Sequence, residues 1–288
     1  MINILKLNTK AVYAIGDLHG EFNSLSYFVK TYNIENSIIL VCGDVGMGFN
    51  KKGYYKQTFS ALNKDLKKRN TYILFIRGNH DDPECFKTTD YNTKFIKLIP
   101  DYTVIEVFNV DDIKQEGESF NILAVGGAIS IDRKQRIETN KRYALEYSRW
   151  HSCSFEEAMK KLEQKCYWEN ETPYFDYDIL EEIKNNDIKI EVVATHTCPH
   201  FCVPYTKDGI KGWLANDYNL EADIDHERQT MTNLYNKLVE DNHPLKEWVY
   251  GHYHFHATNE IDGVMFKLLD MVKGCSIDFA CIKDFDKI

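Results

Sequence analysis

No apolar run in this 288-residue chain approaches the roughly 18 residues that would suggest a membrane span, the longest being short segments such as Ile38 to Cys42. No membrane role is expected. The N-terminal stretch MINILKLNTKAVYAIGDLHG lacks an apolar h-region with a small-residue cleavage site, so the chain reads as cytosolic. Basic charge is also short: 35 Lys and Arg against 44 Asp and Glu leave a formal charge of −9. That balance disfavours extended nucleic acid as a partner but permits a small phosphorylated substrate held by metal ions. No Pro/Gly/Ser-rich linker and no fixed-period repeat divide the chain, so residues 1–288 read as one domain, with helical insertions around 133–185 and 197–246. The eight cysteines scatter from Cys42 to Cys281 without a disulfide framework. Cys198 and Cys202 have a spacing that suits zinc, but no second pair matches them, and they read as ordinary loop thiols. Nothing in the composition sets an oligomeric state.

What the chain does contain is enough apolar residue, 43%, to bury a substantial core. Short β-branched runs at Ala11 to Ile15, Ser37 to Cys42, Thr71 to Ile76, Asn121 to Val125, Ile190 to Ala194 and Trp248 to Tyr250 predict six strands. Helical spacing covers Glu21 to Tyr32, Tyr55 to Arg69, Asp178 to Asn185 and Ile224 to Val239. A further helix is expected from Ser154, where Ser154 and Glu157 fit a capping box. Strands alternating with helices argue for an α/β fold.

The stretch 249-VYGHYHFH-256 sets His252, His254 and His256 on alternate residues, and in an extended segment residues two apart point to the same side. In a chain with ten histidines, that concentration suggests a shared metal ion. The other strand ends support this. The first strand runs into Gly16-Asp17-Leu18-His19, the second into Gly43-Asp44-Val45-Gly46, the third into Gly78-Asn79-His80-Asp81, the fifth into His196 and the sixth into Gly251-His252-Tyr253-His254. Open α/β sheets bind ligands beyond the C-terminal ends of their strands, and glycine beside a ligand lets the backbone turn sharply and approach an ion. Carboxylates, imidazoles and one carboxamide form a mixed O/N donor set without thiolate, which suits manganese, iron or zinc in a hydrolytic centre. Seven candidates, Asp17, His19, Asp44, Asn79, His196, His252 and His254, exceed the needs of one ion. Two divalent ions about 3.5–4 Å apart, bridged by a carboxylate, are expected.

In this order the motifs resemble the calcineurin-like metallophosphoesterase superfamily, from Asp17 to His254. The resemblance implies a four-layer sandwich: an α/β fold of two packed mixed β-sheets flanked by helices. It also implies that Asp17, His19 and His254 hold the first ion, that Asn79, His196 and His252 hold the second, and that Asp44 bridges them; His256 has no family role. Two ions neutralise the phosphate oxygens and lower the pKa of a bound water enough to supply a nucleophile near neutral pH. His80, beside Asn79 but outside the metal set, is placed to give a proton or hydrogen bond to the leaving oxygen.

The chain departs from the serine/threonine protein phosphatases of that superfamily. Their second strand is followed by Gly-Asp-x-x-Asp-Arg-Gly, and the positions of the second aspartate and the arginine are here Met47 and Gly48. This counts against protein phosphatase activity and leaves His80 in need of an orienting group, for which Asp81 is one candidate. Arg77 matches the arginine of that branch's Arg-Gly-Asn-His motif. The stretch 126-GGAISIDRKQR-136 follows a strand on the ligand side, resembles stretches in phage and bacterial metallophosphoesterases, and offers Arg133 and Arg136 as a phosphate clamp. The interval from Thr197 to Glu247, with Tyr205, Trp213, Tyr218, Asp225 and Arg228, reads as either a lid or a helical buttress. The leading functional reading is a two-metal phosphoesterase acting on a small phosphomonoester, phosphodiester or nucleotide. A nuclease and a non-catalytic binding module are the alternatives from other classes.

Overall fold

The computed structural model describes residues 1–112, 114, 117 and 119–286. Its strands are β1 (Asn3–Thr9), β2 (Ala11–Ile15), β3 (Ser37–Cys42), β4 (Tyr72–Ile76), β5 (Ile96–Leu98), β6 (Thr103–Asn109), β7 (Phe120–Val125), β8 (Val192–Thr195), β9 (Glu247–Tyr250), β10 (Ala257–Ile261), β11 (Val264–Leu268) and β12 (Phe279–Asp284). The helices are α1 (Phe22–Thr31), α2 (Lys52–Arg69), α3 (Pro83–Phe86), α4 (Arg133–His151), α5 (Phe155–Lys161), α6 (Tyr177–Asn185), α7 (Lys211–Leu214) and α8 (Leu220–Glu240). Seven strands form one sheet in the order β1-β6-β7-β8-β9-β11-β10, and five form the other in the order β12-β2-β3-β4-β5. Both are mixed: β2 to β5 run parallel, as do β7 to β9, while β6–β7, β10–β11 and β12–β2 are antiparallel.

The layers follow from the two-residue period of buried strands. Along β3, Ile38, Leu40 and Cys42 join Ile122, Ala124, Val192, Ala194 and Val249 of the other sheet in one core. The intervening Ile39 and Val41 join Leu25 and Phe28 of α1 and Tyr55, Phe59 and Leu66 of α2 in a second. A third core sets Val193, Trp248 and Tyr250 against Leu180 and Ile183 of α6 and Met231, Leu234 and Leu238 of α8. Helix, sheet, sheet, helix is the resulting stack. Among the described residues, no helix is long and apolar enough to cross a membrane.

All six expected strands form, but six more accompany them. β10 and β11 are joined by Asp262 and Gly263, both in the left-handed region (φ 51° and 78°), as a two-residue hairpin requires. β1, β10 and β12 sit at sheet edges, where partly exposed residues blur the apolar run that marks a buried strand. The capping box of α5 forms as the sequence predicts: the Ser154 hydroxyl accepts from the Glu157 backbone N–H at 3.2 Å, and the Glu157 carboxylate accepts from the Ser154 N–H at 3.3 Å.

Candidate metal centre

The expected donors sit just beyond strand C-termini: Asp17 and His19 after β2, Asp44 after β3, Asn79 after β4, His196 after β8, and His252 and His254 after β9. Three of these strands belong to one sheet and two to the other, so packing the sheets face to face brings all seven side chains together. Donor atoms of Asp17, His19, Asp44 and His254 lie within 4.8 Å of one another. His254 Nε2 is 3.0 Å from Asp17 Oδ2 and 3.1 Å from His19 Nε2. On the other side, His196 Nε2 is 3.1 Å from Asp44 Oδ1 and 3.0 Å from Asn79 Oδ1, and the His252 ring packs edge-on to His196 with centroids 4.9 Å apart. Asp44 therefore stands between the two groups. His256 lies apart, paired with Asp278 at 2.7 Å.

The local backbone is shaped for this convergence. His19, Asp44, His252 and His254 adopt positive φ angles of 47°, 45°, 73° and 58°, conformations that non-glycine residues hold only when their surroundings dictate it. A Cβ at Gly78 would lie 2.1 Å from Asp44 Oδ1, and one at Gly251 would lie 2.1 Å from Asp17 Oδ1. Only glycine lets the chain pass that close to either carboxylate.

The donor set fits cations. Asp17 is fully buried, and no group approaches its Oδ2 as a hydrogen-bond donor apart from the His254 imidazole, whose Nε2 lies at 3.0 Å. A buried carboxylate is costly unless a cation or a protonated partner satisfies it. The electrostatics agree. Burial alone would raise the Asp44 carboxyl, but the charges of His80 and His196 hold it well below the usual carboxylate range. Burial also opposes protonation of His196, yet Asp44 and Asp17 lift it to about 10. Next to it, burial and the charge of His196 push His252 down to about 3. The two carboxylates thus draw positive charge toward His196, and toward His254, whose imidazole is raised first by its contact with Asp17.

His80 lies at the edge of this cluster, its Nδ1 3.9 Å from Asp44 Oδ2. Arg136 Nη2 donates to His80 Nε2 at 2.7 Å; because a guanidinium only donates, this bond assigns the imidazole proton to Nδ1, on the Asp44 side. Burial first, and the Arg136 charge with it, lower His80 to about 4. The orienting group suggested by sequence, Asp81, serves elsewhere. Its carboxylate is fully buried and accepts four backbone N–H groups, from Val45, Gly46, Met47 and Gly78 at 2.7–3.0 Å. Asp81 therefore ties the β3 loop to the β4 loop and has no bond to the His80 ring.

Two of the three arginines assigned to phosphate by sequence also have other partners. Arg77 is 4% exposed; its Nε bonds Asp101 at 2.9 Å, and its Nη atoms bond the carbonyls of Glu171 and Thr172 at 2.7 and 3.0 Å. Arg133 is paired with Asp217 and Asp223. Arg136 alone of the three lines the cavity over the metal centre, together with Asp44, Asn79, His80, His252 and His254. In the interval from Thr197 to Glu247, Tyr205 and Trp213 line that cavity, while α8 packs on the seven-stranded sheet. Cys198 and Cys202 are buried free thiols, with Arg228 3.5 Å from Cys198 Sγ.

Sequence reasoning missed the support behind Asn79. Its Nδ2 donates to Ser130 Oγ at 3.0 Å, and Ser130 donates both its hydroxyl and its N–H to Glu171, at 2.7 and 2.8 Å. This chain turns Asn79 Oδ1, the atom able to ligate, toward His196. Glu171 is nearly fully buried, and burial pushes its carboxyl up to about 8. No local pattern marks Glu171, 92 positions from Asn79 along the chain. Ser130→Ala is expected to weaken metal binding by about 10–100-fold, the usual cost of removing a partner behind a ligand. A metal titration indistinguishable from wild type would show that Asn79 is held without it.

The family model of the calcineurin-like phosphoesterases matches residues 10–256. Among solved structures, the chain is similar to TT1561 of Thermus thermophilus, with 10% identity over 96% of this chain and 100% of that one and a TM-score of 0.48. It is similar also to a dimetal phosphatase from Danio rerio, with 12% identity over 95% and 92% of the two chains and a TM-score of 0.49. A third is the phosphopantetheinyl hydrolase of Mycobacterium tuberculosis, with 14% identity over 91% and 89% and a TM-score of 0.43. No curated protein matches the chain.

Proposed function

The chain belongs to the calcineurin-like phosphoesterase family, and from that premise we propose that it hydrolyses small phosphate esters, a phosphomonoester, phosphodiester or nucleotide, at a centre of two divalent ions such as manganese. The observation that carries the reading is the convergence of Asp17, His19, Asp44 and His254, whose donor atoms lie within 4.8 Å of one another, with His196, Asn79 and His252 grouped on the other side of Asp44. Asp17, His19 and His254 would hold one ion, Asn79, His196 and His252 the other, and Asp44 would contact both. Such ions supply charge neutralisation for the phosphate oxygens and an activated water.

The chain's own residues do the rest. Arg136, which lines the cavity, binds a phosphate oxygen with an N–H left over from its bonds to Asp132, the Cys166 carbonyl and His80 Nε2. His80 presents Nδ1–H to the leaving oxygen. Asp81 keeps the two loops that carry Asp44 and Asn79 in fixed register.

Treatment with a chelator is expected to abolish hydrolysis of an aryl phosphate, and added manganese to restore it. In the same assay, Arg136→Ala should raise the inhibition constant of inorganic phosphate at least tenfold with metal content retained. Arg133→Ala should leave that constant at the wild-type value and lower Tm instead, because it strands the buried Asp217. Metal-independent hydrolysis would overturn the reading; phosphate inhibition that weakens with Arg133→Ala and not Arg136→Ala would overturn the arginine assignment.

A further inference from the structure

The cavity over the centre measures about 750 Å³, within the range of about 300–1,000 Å³ usual for small-molecule sites. A phosphoryl group fills only a fraction of it, so the lining beyond the metal donors bears on what else the substrate carries. Much of that lining is apolar and partly aromatic: Ile131, Tyr205, Ile210, Trp213, Ile224 and Phe255. Most of these come from the 197–246 interval, outside the elements that hold the metal donors.

The charged groups in the same lining are already engaged. Lys207 is paired with Asp225 at 2.6 Å and Glu221 at 3.3 Å. Arg228 donates to the carbonyls of Pro204, Pro199 and Cys202 at 2.6–2.8 Å. Arg136, paired with Asp132, is the cation already assigned to the phosphoryl group. Among the described residues, a second phosphate or a carboxylate placed there would find no further free cation and would face the carboxylates of Asp132 and Asp225. A flat, uncharged ring would find apolar faces, an indole and a phenol to stack on, with polar groups at the rim for its edge.

Resting on the hydrolytic reading above, we propose that this cavity seats the organic group of the ester as a flat, uncharged ring of nucleobase size, with Trp213 as its stacking partner. The substrate class is then a nucleoside phosphate rather than a sugar, glycerol or polyphosphate ester.

Adenosine, which has no phosphate to contact the centre, is the probe. Calorimetry on the metal-loaded protein should show adenosine binding more tightly than ribose. Trp213→Ala should weaken it about tenfold or more, the usual scale for loss of a base-stacking aromatic, and Trp213→Phe should retain most of it. In turnover, Trp213→Ala should lower kcat/KM for adenosine 5′-monophosphate relative to that for glycerol phosphate, through KM. Adenosine binding no better than ribose, or insensitive to Trp213, would overturn the proposal even if phosphate esters are hydrolysed. Failure to hydrolyse any ester with adenosine binding intact would instead strike the hydrolytic reading and leave the ring site standing.

Discussion

Asp44→Asn is expected to deplete bound metal and to remove nearly all hydrolysis, a loss larger than the about 10–100-fold that follows from altering a partner behind a ligand. Asp44 is 2% exposed and lies between the two donor groups. Its Oδ1 accepts the His80 backbone N–H at 2.7 Å and lies 3.1 Å from His196, while its Oδ2 is 3.8 Å from His19. The carboxamide keeps the shape but removes the negative charge and replaces one oxygen with a group that only donates. Whichever oxygen is lost, an ion held there would lose an anionic ligand, and two ions would lose the proposed bridge. Metal content by mass spectrometry, measured with turnover of an aryl phosphate, decides the matter. Two equivalents of metal with near-normal turnover would refute a bridging Asp44.

His80→Ala is expected to retain both metals yet cost about 10²–10³ in rate on an alkyl phosphate, the range for removing one hydrogen-bond donor to a developing oxyanion. On an aryl phosphate with an acidic phenol the loss should be distinctly smaller. The difference follows from the leaving group: an alkoxide departs poorly without a proton or hydrogen bond, whereas an acidic phenolate departs unaided. The structure supplies the geometry, since Arg136 occupies Nε2 and leaves Nδ1–H on the Asp44 side, 3.9 Å from the carboxylate. Turnover of both substrates and metal stoichiometry are measured on one preparation. Equal losses on the two esters would assign His80 to charge stabilisation or positioning, and a missing metal would make it a ligand.

Legibility in the sequence tracked how local each feature is. β3, buried on both faces, announces itself as a continuous apolar run, and α1 shows Phe22, Leu25, Phe28 and Val29 at helical spacing. By contrast, α4 buries only Asn140 and Ala144 over nineteen residues, so no apolar stripe marks its bounds, and it was legible only as part of a helical insertion around 133–185. The Asp262-Gly263 turn was a usable hairpin signal that the strand reading did not take up. The same limit applied to the 197–246 interval, in which α8 buries Met231, Leu234 and Leu238 while Tyr205 and Trp213 precede it and line the cavity.

By itself the sequence determined which donor types gather in the candidate centre. Each candidate donor follows an apolar strand within a few residues, and Asp17, Asp44, Asn79 and His252 stand directly after a glycine; such short-range order survives in one dimension. Only the tertiary structure decided which nearby charges serve it. Arg133 and Arg136 lie three positions apart at the start of one helix, yet the first turns to Asp217 and Asp223, 84 and 90 residues away, and the second to His80, 56 residues away. Asp81 adjoins His80 but spends its carboxylate on backbone N–H groups of another strand's loop. A buried charge takes whatever partner the packed layers bring within hydrogen-bonding reach, because leaving it unpaired is expensive, and those partners come from segments that meet only when the two sheets close face to face.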